Sequence, residues 1–147
     1  MSWQTLIDEA PDLAAVGWER LHGRVSYLAT VRKDGSPRVH PVTPFIGDGR
    51  LFLFMEPTSP KGKDIQRNGR YALHGGVEDD EGGGGEFYVW GRGRLVSDPA
   101  LRALAVTHCP YAPAARYLLY ELSVERAMST VYGDEGAIRR RWRAPCA

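Results

Sequence analysis

The spacing of apolar side chains changes period within the first thirty residues. Over residues 12–21, Leu13, Val16, Gly17 and Leu21 recur at helical intervals with Trp18 beside them, and Pro11 stands where a first helical turn tolerates proline. A short amphipathic helix is predicted there. From Ser26 the pattern becomes strand-like. Residues 26–31 read as a strand, Lys33-Asp34-Gly35-Ser36 as a turn whose Asp-Gly pair suits positive φ, and residues 37–46 as the returning strand. Gly47-Asp48-Gly49 supplies a second turn, and the bulky run from Arg50 to Met55 a buried third strand. Three antiparallel strands in sequence make a meander.

Residues 57–68 predict a second helix, because Thr58 and Ser59 both suit an N-cap, Pro60 fits the first turn and Ile65 faces inward. Strands over residues 70–77 and 86–96 flank an acidic, glycine-rich segment, residues 78–85, expected to be a mobile hairpin loop. Its carboxylates would repel a phosphate, so it is not read as a phosphate cradle. Asp98 and Pro99 open a third helix reaching about Val106, and residues 116–124, 128–132 and 137–142 alternate as strands. Many short strands joined by tight turns favour a barrel over a βαβ sheet.

Composition narrows the function. The 147 residues are 43% hydrophobic and 25% charged, as expected of one globular domain spanning residues 1–147. A formal net charge of +1 gives no general attraction to nucleic acid or an anionic membrane, so any anion site must be local. Pro37, Pro41 and Pro44 also interrupt the strand an oligonucleotide-binding barrel would use as its platform. With no basic n-region ahead of an apolar run, and no apolar stretch near the ~18 residues of a membrane span, a cytoplasmic, soluble chain is expected. Cys109 and Cys146 form no CxxC pair, and His22, His40, His74 and His108 are scattered, so reduced thiols and no metal site are expected. No Ser/His/Asp ordering supports a side-chain nucleophile.

The chemistry gathers in two neighbouring segments. Arg38-Val39-His40-Pro41-Val42-Thr43 lies on a strand with a basic residue, and Ser59-Pro60-Lys61-Gly62-Lys63 opens a helix. Unpaired N–H groups at a helix start, beside a hydroxyl and two ammonium groups, suit a dianion, with Arg38 closing the site from its strand. A solvated helix face would also account for Lys61 and Lys63.

The run Tyr27-Leu28-Ala29-Thr30-Val31-Arg32-Lys33-Asp34-Gly35-Ser36-Pro37-Arg38-Val39, followed by Gly49-Arg50-Leu51-Phe52 and then Ser59-Pro60-Lys61, resembles the pyridoxamine 5'-phosphate oxidase-like family. That family includes deazaflavin-dependent reductases, and the resemblance extends to the Trp142-Arg143 end. It implies a mainly β fold: a six- to seven-stranded antiparallel split β-barrel with about three short helices. It further implies FMN as cofactor, with a deazaflavin coenzyme as the alternative and haem less favoured, held at the interface of a homodimer that acts on a small molecule.

Carried over by position, flavin contacts fall on Arg38, Val39, His40, Pro41, Val42 and Thr43, on Phe54 and Met55 beside the ring, and on Ser59 and Lys61. Lys63 matches a basic position of deazaflavin-binding members. Trp142 would cover a flavin face from the partner subunit or plug the barrel. His40 would sit near the cofactor or serve as a hydrogen-bonded barrel histidine. The sequence departs from the vitamin-oxidising branch at Pro60, where that branch has a second basic residue, and at Glu86, where it has glutamine. The chain is also too short for that branch's full substrate-phosphate site, although Arg143-Ala144-Pro145 resembles its ending, so oxidation of pyridoxamine phosphate itself is not expected. Two functions follow: a flavin-dependent oxidoreductase with no catalytic side chain assigned, or a non-catalytic flavin, deazaflavin or haem binder with His40, His74 or His108 as axial ligand. Arg139, Arg140, Arg141 and Arg143 are expected on a solvated edge strand or against a partner. The aromatic C-terminal third (Tyr111, Tyr117, Tyr120, Tyr132, Trp142) favours burial between two copies.

Overall fold

The computed structural model describes residues 2–146. Two helices come first, α1 (Trp3–Glu9) and α2 (Pro11–Leu21). The second is the helix the spacing of Leu13 and Leu21 predicts. The first escaped the sequence reading because its seven residues bury only Trp3 and Leu6, too few positions to reveal a period. Trp3 meets Phe87 edge to face, with ring centroids 6.0 Å apart, and both press on Gly17, where a Cβ would lie 2.5 Å from the Phe87 ring. That close approach is how α2 reaches the sheet.

Next come β1 (Ser26–Val31), β2 (Pro37–Val42), β3 (Phe45–Gly47) and β4 (Arg50–Met55). The single strand expected over residues 37–46 is two, broken at Thr43 and Pro44. Pro44 has no N–H to give a ladder, and its carbonyl instead accepts from Gly23 N at 2.8 Å. Then follow α3 (Pro60–Arg67), β5 (Arg70–Gly75), β6 (Glu86–Leu95), α4 (Pro99–His108), β7 (Leu118–Leu122), β8 (Arg126–Gly133) and β9 (Gly136–Arg143).

All strand pairs are antiparallel, and seven strands follow one path, β2-β1-β5-β6-β7-β4-β3, while β8 joins β6 and β9 joins β8. The molecule is a split β-barrel. Nine strands and four helices among the described residues, against the six or seven and three expected, reflect the broken strand, the complete C-terminal hairpin and α1.

The split lies in β6. Residues Glu86 to Trp90 pair with β8, whereas Gly93 to Leu95 pair with β7. Gly91 marks the change of partner, since a Cβ there would collide with the Ser123 carbonyl. Ser123 bridges the break, donating N–H to Arg92 O at 2.8 Å while its Oγ accepts from Arg92 N at 3.0 Å. One apolar cluster fills the barrel under α1 and α2, with Leu28, Leu73, Phe87 and Val89 at its centre. A second, built on Phe45, Phe52, Phe54 and Leu119, lies under α4.

The segment 78–85, expected as a mobile loop, is closed by its own bonds. Asp79 Oδ1 accepts from Glu81 N and Gly83 N, both at 2.9 Å, and Glu78 pairs with the buried Arg20 at 3.3 Å. Among the described residues no helix is long and apolar enough to cross a membrane.

Candidate cofactor site

Helix α3 starts as its sequence dictates, with Ser59 at the N-cap and Pro60 in the first turn. The Ser59 hydroxyl makes no capping bond; it accepts from Lys61 Nζ at 3.0 Å. Lys63 N is satisfied by Ser59 O at 3.1 Å, so the N–H groups of Lys61 and Gly62 are the ones the helix leaves for a ligand. Burial pushes the Lys61 ammonium below its ordinary range, the mark of a cation short of counter-charge. Gly62 is required by packing: a Cβ there would stand 2.7 Å from Tyr120 Oη, which accepts from Gln66 Nε2 at 2.7 Å.

The β1–β2 register places Arg38 opposite Thr30, His40 opposite Leu28 and Val42 opposite Ser26, so these three share the face of buried partners. Arg38 Nε donates to Asp64 Oδ2 of α3 at 2.7 Å, and Thr30 Oγ1 donates to the same oxygen at 2.7 Å. Arg67 Nη2 donates to Oδ1 at 3.2 Å. Burial alone would raise the Asp64 carboxyl, but the bonds from Thr30 and Arg38 and the charges of both arginines outweigh it and hold it below its ordinary value. Arg38 is therefore half committed. Its Nε edge secures Asp64, and its terminal Nη edge is the part an anion would meet.

Beside the start of α3 lies a cleft of about 420 Å³, lined by Pro41, Val42, Thr43, Phe54, Met55, Glu56, Lys61, Tyr111 and Tyr117. Six residues singled out from the sequence meet here: Pro41, Val42, Thr43, Phe54, Met55 and Lys61. Ser59, 6% exposed, is reached through its bond from Lys61. Arg38, Val39 and His40 lie earlier on β2 and outside this lining, with Val39 on the opposite, exposed face. Lys63 is exposed at the helix start. Trp142 lines a different cleft with Tyr88, Trp90 and Arg126, and its Nε1 donates to Glu9 at 2.7 Å, so within one chain it does not approach Lys61.

The sequence reading missed Glu56, Tyr111 and Tyr117 as parts of this site. Glu56 is held by Arg116, whose Nε donates to Oε2 at 3.0 Å, and that hydrogen bond pulls the Glu56 carboxyl below its ordinary range. The charge of this lining carboxylate is thereby paired. None of His40, His74 and His108 lines the cleft: His74 stacks on Tyr88, and His108 packs against Gly47.

An antiparallel split barrel with a lysine-bearing helix start beside a cleft lined by Phe54, Tyr111 and Tyr117 defines a class, and sequence comparison narrows it. The family described as pyridoxamine 5'-phosphate oxidase matches residues 20–129, and the chain belongs to that family. No curated protein matches it. Among solved structures, a NimC/NimA family protein from Clostridium acetobutylicum is similar at 18% identity and TM-score 0.66, over 95% of this chain and 96% of that one. A haem-binding protein from Mycobacterium smegmatis is similar at 16% identity and TM-score 0.64; 95% of this chain is covered, yet the match spans only 56% of that protein's length. HutZ, the haem storage protein from Vibrio cholerae, is similar at 14% identity and TM-score 0.61, over 79% and 89% of the two chains. At these identities the likeness is one of fold.

Proposed function

We propose that this protein binds FMN, with a deazaflavin coenzyme as the alternative, and works as a flavin-dependent oxidoreductase on a small molecule. The observation that carries the reading is a single cleft lined both by a cation, Lys61, and by aromatic rings, Tyr111 and Tyr117. Lys61 and the start of α3 supply the cation and free N–H donors, while Tyr111, Tyr117 and Met55 supply flat or polarisable apolar surface. A phosphorylated planar aromatic has that same division of character. The bound flavin would supply hydride or electron transfer. The chain's part is to hold the phosphate at Lys61, with Lys63 and the Nη edge of Arg38 in support, and to keep water from the ring with Val42, Phe54 and Met55.

The rival is a non-catalytic haem binder, favoured by the names of two structural relatives. Against it stands the lining itself, which holds none of the three histidines considered as axial ligands.

A homodimer completes the proposal. The face of the sheet turned away from the barrel core carries Tyr27 at 50% and Val39 at 65% exposure, and a stacked series of His74, Tyr88 and Trp90 with centroids 5.7 and 5.0 Å apart. So much aromatic surface supports burial against a second copy.

The absorption spectrum of the purified protein, followed by titration of the apo-protein with FMN, riboflavin and hemin, tests the reading. FMN should bind more tightly than riboflavin, because only FMN carries the phosphate. A haem spectrum, or equal affinity for the two flavins, would overturn it.

A further inference from the structure

We infer that Tyr111 forms the ring-side wall of the cleft and sets affinity for the planar part of the ligand, separately from the phosphate contact at Lys61. The inference rests on the flavin reading above and extends it to a residue that the sequence reading left without a cofactor role.

Residues 109–117, between α4 and β7, have no regular structure, yet they are clamped at several points. Arg102 Nη1 donates to Tyr117 O at 2.6 Å and Nη2 to Ala115 O at 3.3 Å, which ties the segment to α4. The Arg116–Glu56 pair ties it to the end of β4. Pro110 packs beside Gly23, where a Cβ would lie 3.3 Å from the proline ring. Pro110 and Pro113 remove further backbone freedom. A wall held this way is in place before the ligand arrives, so its ordering costs nothing on binding.

Two tyrosines of the segment reach the cleft, and they are not equivalent. The Arg116 guanidinium carbon sits over the Tyr117 ring, 5.2 Å from its centroid, so one face of that ring is taken. Among the described residues no ring or cation stacks on Tyr111, which is 37% exposed. Burial, then the neighbouring Cys109, raises the phenol well above its ordinary range, which keeps it neutral. The result is a fixed, uncharged aromatic ring with an open surface in the same cleft as Lys61. Such a surface suits a flat heterocycle and has nothing to offer a phosphate.

Binding of FMN and of riboflavin to the full-length protein, compared across Tyr111→Ala, Tyr111→Leu, Tyr111→Phe and Lys61→Ala, separates the two roles. Tyr111→Ala should weaken both ligands by the same factor, about 3- to 10-fold, the range of one lost aromatic contact. Tyr111→Phe keeps the ring and should hold both affinities within about twofold. Lys61→Ala should weaken FMN alone. Should Tyr111→Ala fail to fold, Tyr111→Leu, which keeps the bulk without the aromatic face, carries the same expectation. If the Tyr111 variants bind both ligands as the wild type does while Lys61→Ala weakens FMN, the flavin reading stands and this inference falls. Loss of FMN but not riboflavin on Tyr111→Ala would also overturn it, by moving Tyr111 to the phosphate end. A wild-type protein that binds neither flavin overturns the flavin reading, and this inference with it.

Discussion

Arg38 and Asp64 meet at 2.7 Å through a single guanidinium nitrogen, and this contact joins β2 to α3 under the proposed phosphate site. Asp64 is 2% exposed, and the hydroxyl of Thr30 brings β1 into the same cluster. The cluster therefore sets the angle at which the start of α3 faces the cleft. Removing the carboxylate strands two arginines, although both are partly exposed and regain some hydration. Asp64→Ala should cost about 2 to 3 kcal/mol, somewhat less than a fully buried pair. Urea unfolding would measure the loss, and a change within about 0.5 kcal/mol would show that the cluster does not bear on stability.

The same carboxylate has a pH signature. Its pKa in the fold is held below the ordinary 3.8, so the stabilisation is fully present above that value and is lost as pH falls through the lower folded value. Asp64→Asn should flatten the acid limb of the stability curve below about pH 4, beyond any constant offset.

His22 should act at milder pH. Its Nδ1 accepts from Ile46 N at 2.9 Å, and its ring stacks on Trp18 with centroids 3.9 Å apart. Burial first, and the neighbouring charge of His108 second, lower its pKa from the ordinary 6.5. The neutral ring is the one that fits, so stability is full above 6.5 and declines as pH falls toward the lower folded value. Melting temperature followed across that interval should drop in the wild type and vary less in His22→Gln, whose side-chain oxygen still accepts from a backbone N–H. Identical profiles would remove His22 from the account.

Gly91 gives a sharper structural test. A Cβ there would collide with a backbone carbonyl, that of Ser123, which cannot rotate away as a side chain does. Gly91→Ala should destabilise by about 1 to 3 kcal/mol and loosen the exchange of partners along β6. Hydrogen exchange should quicken first at Arg92 and Ser123, the two residues bonded across the break.

These residues also mark what the sequence discloses. The early hairpin was legible because Asp34-Gly35 and Asp48-Gly49 are strong local turn signals, and both glycines do take positive φ. The exchange of partners in β6 was not, because Gly91 and Gly93 interrupt an otherwise continuous strand pattern without ending it. At the proposed site, Thr43, Met55 and Lys61 could be singled out because the resemblance to the family carries cofactor contacts onto their segments by position. Glu56 and its partner Arg116 lie 60 positions apart, and Tyr111 belongs to a proline-rich connection with no period; only the closed fold pairs the first two and brings Glu56 and Tyr111 to one cleft. The Arg38–Asp64 bond escaped for a related reason. A basic residue on a strand reads as a free cation until its acidic partner on a later helix is placed.

Trp142 does not approach Lys61 within a single chain, so a role at the cofactor requires a second chain. Its indole N–H is bonded to Glu9, and its cleft of about 360 Å³ also holds Tyr88, Trp90, Met128 and Arg126. These belong to the exposed aromatic face proposed to meet another copy. A two-fold axis repeats every contact, so a C-terminal strand that reaches the partner's cleft would create two equivalent shared sites. Light scattering should then report about twice the chain mass of 16.3 kDa. Trp142→Ala should weaken FMN binding, while its local loss, the hydrogen bond to the exposed Glu9 and the packing of the half-buried indole against the barrel core, lowers stability by less than the ~3 to 5 kcal/mol of a fully buried tryptophan. The two measurements constrain each other. A monomer holding stoichiometric FMN would remove the shared site, and a dimer whose Trp142→Ala form binds FMN unchanged would keep the assembly while placing the indole outside the cofactor's reach.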